Sequence, residues 1–146
     1  MFDAMNISAS GLTAQRLRMD IISQNIANAQ TTRTPEGGPY KRRTVIFQEI
    51  NGKDPFASLF SKKTELMENE GRGVRVSQVA IDESPGILMY DPFHPDADGE
   101  GYVRMPNVNI IEEMVNMISA SRSYEANITA INSSKAMLAK TLELGR

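Results

Sequence analysis

Residues 107–146 contain no proline, and their only glycine is the penultimate Gly145. No other stretch restricts the fold as strongly. Stepping alternately by four and three residues from Ile110 meets Met114, Met117, Ser121, Tyr124, Ile128, Ile131, Lys135, Leu138 and Leu142. All but Ser121 and Lys135 are apolar, which is the spacing of a coiled-coil seam. Ile111, Val115 and Ile118 form a second apolar row beside it. A helix of about 35 residues is roughly 50 Å long, more than a small core needs. Asn109 followed by Glu112 resembles a capping box. Glu112 and Glu113 near the start, and Lys135, Lys140 and Arg146 near the end, suit the helix dipole.

A second helix is expected over residues 1–30. From Met5, helical steps meet Ser8, Leu12, Gln15, Met19, Ile22, Ile26 and Ala29, with Ala14, Leu17 and Ile21 alongside. Asp3 is read as its N-cap, and Gly11 as a weak spot inside it. Its end, Asn25-Ile-Ala-Asn28-Ala-Gln-Thr31-Thr32, turns to small polar residues that leave helices easily.

Between the helices, residues 31–106 hold all seven prolines and every glycine except Gly11 and Gly145. Thr34-Pro-Glu-Gly-Gly-Pro39 is a loop, and Arg43-Thr-Val-Ile-Phe-Gln-Glu-Ile50 reads as a strand. Asp54-Pro55 reads as the start of a short helix presenting Phe56, Leu59 and Phe60 on one side. In the next strand Val74 and Val76 alternate, as do Val79 and Ile81, but the phase slips between the pairs, which predicts a bulge or a bend. Pro85-Gly86 is a turn before a last short strand, Ile87-Leu-Met-Tyr90. The expected fold is therefore α+β: terminal helices over 1–30 and 107–146 paired as an antiparallel coiled coil, with a small β-rich module over 31–106 inserted between them.

One partner helix cannot cover both apolar rows of the longer helix, nor its overhang, so the remainder has to meet other chains or be left exposed. Assembly is therefore the leading expected function. The expected assembly surface comprises Leu12, Met19, Ile22, Ile26, Ile110, Met114, Met117, Tyr124, Ile128, Ile131, Leu138 and Leu142. The remaining composition agrees. Hydrophobic residues make up 40% of the chain and there is no tryptophan, so no large core is expected. Net charge is −2 with acids and bases interspersed, which disfavours a nucleic-acid partner. No segment is apolar enough for insertion into a bilayer. The start, Met1-Phe2-Asp3, carries an acid where a signal peptide needs basic residues, which suggests a cytoplasmic protein or export without a cleaved signal.

Chemistry-bearing motifs are sparse. Asp96, Asp98 and Glu100, with Gly101 and Val103 following, imitate the opening of a calcium loop. The twelfth position is Asn107 rather than glutamate, and Pro95 and Pro106 stand where helices should flank it. A polar turn is the better reading, and no metal is expected. His94 is the only histidine and has no nucleophile motif nearby. Lys41-Arg42-Arg43 reads as a solvated loop rather than a nucleic-acid patch. With no cysteine, no Gly-rich phosphate loop and no Gly-x-Ser-x-Gly, no cofactor is expected. An enzyme using Asp96, Asp98 and Glu100 as acid, base or metal ligands is the alternative class.

Both ends also resemble a family. Ser10-Gly-Leu-Thr-Ala-Gln-Arg-Leu-Arg-Met-Asp20, running into Asn25-Ile-Ala-Asn28-Ala-Gln-Thr-Thr32, resembles the N-terminal signature of bacterial flagellar axial proteins. Glu112-Glu-Met-Val-Asn-Met-Ile-Ser-Ala-Ser-Arg-Ser-Tyr124-Glu-Ala-Asn127 resembles their C-terminal signature. Asp91-Pro-Phe-His-Pro-Asp-Ala97, Gly101-Tyr-Val-Arg-Met-Pro-Asn107 and Lys140-Thr-Leu-Glu-Leu-Gly145 narrow the resemblance to basal-body rod proteins, while residues 50–75 match no motif. The resemblance implies a structural, non-enzymatic subunit of the proximal rod, or of a neighbouring axial component. It implies secretion through the flagellar type III export apparatus without signal cleavage. It also implies helical assembly with itself and other rod proteins, terminal helices innermost. By the same resemblance Asn25, Ile26, Asn28 and Thr31 shape the exit from the first helix.

Overall fold

The computed structural model describes residues 2–50 and 73–145. The expected short helix carrying Phe56, Leu59 and Phe60 lies outside the described residues. Helix α1 spans Phe2–Ala27 and helix α2 spans Ile110–Leu144. Between them lie β1 (Arg43–Glu49), β2 (Val74–Ile81), β3 (Leu88–Tyr90) and β4 (Tyr102–Arg104). The architecture is α+β, two terminal helices with small antiparallel sheets between them.

Several local signals act differently from expectation. Asp3 lies within the first turn of α1 rather than capping it, where its charge still favours the positive end of the dipole. At α2 the Asn109 Oδ1 accepts from the backbone N–H of Ile111 at 3.1 Å and of Glu112 at 3.5 Å. Only half of the capping box forms, because the Glu112 carboxylate turns to the Arg42 guanidinium instead, at 3.4 Å. Lys140 pairs with Glu143 at 3.3 Å, and no basic residue occupies the last turn.

The helices lie side by side and run in opposite directions, since Asn25 bonds Glu113 while Gly11 faces Asn127. Gly11 is the closest approach rather than a defect. A Cβ there would stand 3.0–3.2 Å from the Asn127 side-chain amide. Glycine costs a helix about 1 kcal/mol relative to alanine, and here it lets the two backbones come together.

The face of α2 turned inward differs in phase from the apolar pattern. Glu113, Ala120 and Ser134 are buried, and Asn127 half-buried, at seven-residue spacing. Met117, Tyr124, Ile131 and Leu138 are half-buried on the adjoining row. On α1 the buried positions are Gly11, Ala14, Ile21, Ile22 and Asn25. Small and polar residues therefore make up half the contact, and much of α2's apolar surface points away.

β1 and β2 pair antiparallel, and the expected bulge is present. Ile46 pairs with Gln78 and Phe47 with Val76, so Ser77 has no partner in the ladder. This ribbon packs on α1, where the Val74 N–H donates to Ser10 Oγ at 3.0 Å. A side chain at Gly73 would occupy the site of Ser10 Oγ. β3 pairs with β4 to form a separate hairpin around Val103, which is 1% exposed. Tyr90 and Tyr102 stack edge to face across it, ring centroids 5.3 Å apart.

Candidate functional site

Two features stand out: a buried polar junction where α1, β1 and α2 meet, and an uncovered apolar face on α2. Asn25 and Glu113 are each only 1% exposed. The Asn25 amide donates to the Arg43 carbonyl and to Glu113 Oε2, both at 2.8 Å. Its carbonyl oxygen accepts from the Tyr40 hydroxyl and from the Arg43 N–H, both at 3.0 Å. Every donor and lone-pair position of the amide is thus used. The other Glu113 oxygen accepts from Arg42 Nε at 2.9 Å and Nη2 at 2.7 Å. A buried carboxylate needs such partners, since an unpaired one would be strongly penalised.

The reading of Lys41-Arg42-Arg43 as a solvated loop is corrected at Arg42, whose side chain is 22% exposed and bound to Glu113. Burial alone would lower the Arg42 pKa. The hydrogen bond and charge of Glu113, then Glu112 and Asp82, outweigh it and raise the pKa above the ordinary guanidinium value. Arg43 lies over the Tyr40 ring, 5.9 Å from its centroid.

Burial of Tyr40 raises its phenol pKa, opposed by Arg43 and assisted by Glu113. The folded chain holds this proton longer than the unfolded chain does. Tyr40 therefore stabilises the fold fully below pH about 10, and that contribution is lost as pH rises through the folded value. Ultraviolet difference titration of wild type against Tyr40→Phe should place this phenol's midpoint above 10, as burial requires. A midpoint at or below the free value would contradict the buried junction.

Asn107 extends the junction. Its Oδ1 accepts from the Arg42 N–H at 2.7 Å, and its amide donates to the carbonyls of Asp82 at 3.0 Å and Ser84 at 3.2 Å. Asp82 in turn accepts from the Ser84 hydroxyl and N–H, which hold its carboxyl below the usual carboxylate range. Residues far apart in sequence are thereby tied to the start of α2. Nothing in the local pattern around Asn107 marks this role, because its partners, backbone groups and the Ser84 hydroxyl, are distant in sequence.

At the helix exit, Asn28 Nδ2 donates to the Gln24 carbonyl at 2.9 Å, and Thr31 Oγ1 to Asn28 Oδ1 at 3.2 Å. The Tyr40 N–H closes the loop on the Thr31 carbonyl at 3.0 Å. Asn25 reaches across to β1 and α2 instead, and Ile26 is half-buried.

The acidic loop has other commitments. Asp98 Oδ1 accepts from the N–H groups of Glu100 at 3.1 Å and Tyr102 at 3.0 Å, and Asp96 accepts from the Thr32 hydroxyl at 2.8 Å. His94 Nδ1 accepts from the Asp96 N–H at 3.1 Å. Among the described residues, no group of three or more His, Cys, Asp or Glu is placed to share a metal ion. No helix among them is long and apolar enough to cross a membrane.

The sequence-derived assembly residues divide into two sets. Ile22 is buried, and Leu12, Met19, Ile26, Met117, Tyr124, Ile131 and Leu138 are half-buried. Ile110, Met114, Ile128 and Leu142 are exposed. The second apolar row is more open still, with Ile111 at 74%, Val115 at 61% and Ile118 at 56%. Together Ile110, Ile111, Met114, Val115 and Ile118 make a contiguous apolar face over the first turns of α2.

Comparison with known proteins bears on both helices. The family described as flagella basal body rod protein matches residues 5–33, and the family described as flagellar basal body rod FlgEFG protein C-terminal matches residues 100–144. The chain is 51% identical to the flagellar basal-body rod protein FlgC of Borreliella burgdorferi over 99% of its length and 97% of that protein. It is 47% identical to the FlgC of Bacillus subtilis, over 99% of this chain and 98% of that protein. It is 40% identical to the FlgC of Escherichia coli, over 100% of this chain and 98% of that protein.

Proposed function

The chain belongs to the FlgC family of flagellar basal-body rod proteins, and from that premise we propose how it serves as a structural subunit of the rod. It assembles helically with itself and other rod proteins in the proximal rod, encloses the export channel and transmits torque. It reaches that position through the flagellar type III export apparatus, unfolded and without signal cleavage, and stands in the periplasm. The observation that carries this reading is the apolar face of α2, since five large apolar side chains lie at 41–74% exposure with no segment of the described chain over them. A neighbouring subunit that covers this face gains about 25 cal/mol for each Å² of apolar surface removed from water.

Within the subunit, α1 and α2 pair as an antiparallel coiled coil. The heptad spacing of Met117, Tyr124, Ile131 and Leu138 supports this. Asn28 and Thr31 fix the exit from α1, and Asn25 fixes where the strand that follows is anchored.

The reading is tested by supplying this chain to cells that lack their own FlgC. The chain should copurify with basal bodies and restore motility. Its accumulation outside the basal body, with cells that stay non-motile, would count against a rod subunit.

A further inference from the structure

We propose that Asn25, Arg42 and Glu113 form a register key that permits a single alignment of α1 on α2. The α1-facing rows of α2 repeat every seven residues, and the row nearest α1 is Glu113, Ala120, Asn127 and Ser134. A slip of one heptad would bring Gly11 beside Ala120 or Ser134 instead of Asn127. Both are small, and Met117, Tyr124, Ile131 and Leu138 would stay on the inner side. Apolar packing and shape therefore discriminate poorly between registers.

The junction does discriminate. A slip carries Asn25 a full heptad from Glu113 and breaks their 2.8 Å bond. Arg42 and Arg43 are successive residues, so the slip breaks a further set of bonds: Asn25 loses the Arg43 backbone and the Tyr40 hydroxyl if this stretch stays with α2, and Arg42 loses Glu113 and Asn107 if it stays on α1. Glu113 is then a buried carboxylate short of one partner. The Arg42 N–H, which donates to Asn107 at 2.7 Å, ties this stretch to the start of α2 as well. A buried polar group that fixes register at some cost in stability is a recognised use of such groups in helix pairs. Here the key has parts on both helices and on the residue just before β1, so one arrangement sets the helix register and the seat of β1 together.

The chain has no cysteine, so engineered pairs report register cleanly. In the full chain at high dilution, Gly11→Cys/Asn127→Cys reads the observed register, and Gly11→Cys/Ser134→Cys, with Asn127→Ala added to make room for the new Cβ, reads a slip of one heptad. With the key intact, the first pair should form its intramolecular disulfide about ten-fold faster or more than the second. With Asn25→Leu, Arg42→Leu and Glu113→Leu introduced together, helicity should persist and the two rates should converge. A preference for the first pair that survives the triple change would overturn the key. Bonds that form mainly between chains with the key intact would overturn it as well. If the triple variant loses its helicity, Glu113→Gln, which keeps the shape of the side chain, decides. An intermediate preference upholds the key, and an unchanged one overturns it.

Discussion

Replacing Arg42 by methionine should destabilise the folded subunit by about 4 kcal/mol, more than any substitution of a single apolar side chain on the inner face of α2. Removing one partner of a buried pair costs about 3–5 kcal/mol because it strands the other charge. The two sides of this pair are not equally buried. Glu113 is 1% exposed and keeps only Asn25 when the guanidinium is gone. Arg42 is 22% exposed and has Glu112 at 3.4 Å as a second carboxylate. Glu113→Met should therefore cost less, about 2–3 kcal/mol, because the stranded arginine can rehydrate and turn to Glu112. Urea unfolding of both variants gives the order. Equal losses, or a larger loss for Glu113→Met, would mean that desolvation of Glu113 is not what the junction offsets.

The second large effect is on assembly rather than on folding. Ile118→Asp should leave subunit stability within about 0.5 kcal/mol, as for surface positions, because Ile118 is 56% exposed. In an assembled rod the same carboxylate would be buried without a partner, at a cost of several kcal/mol. Rods should then fail to form, and cells carrying only this variant should be non-motile while still exporting it. Ile131→Asp serves as the contrast. Ile131 is half-buried on the side of α2 that meets α1, so its substitution should lower the stability of the subunit itself. Normal motility with Ile118→Asp would remove this face from any interface.

Much of the fold could be read from local pattern. Both helices, the ribbon strands and the bulge at Ser77 follow from spacing, because burial on one face imposes a period on apolar side chains. The phase of the helix contact could not be read in the same way. The inner row of α2 is glutamate, alanine, asparagine and serine, so an apolar walk selects the outward residues Ile110, Met114 and Ile128 in its place. Gly11 looked like a weakness because its use depends on Asn127, which is distant in sequence. β4 has three residues and lies inside a stretch that imitates a calcium loop, too short to show a period. Of the junction, only the family resemblance pointed to Asn25. Arg42 carries no signal of its own and Asn107 only its place in a family motif, because their partners are carboxylates, backbone groups and the Ser84 hydroxyl, all distant in sequence.

We propose the apolar face of α2 as an interface between rod subunits. Electron cryomicroscopy of basal bodies from cells whose only FlgC-type subunit is this chain shows what covers it. Density for the chain is expected within the rod, with Ile111, Val115 and Ile118 within about 4 Å of side chains of an adjacent subunit. A rod that contains the chain with those three side chains facing solvent, or a rod that lacks the chain, would contradict it.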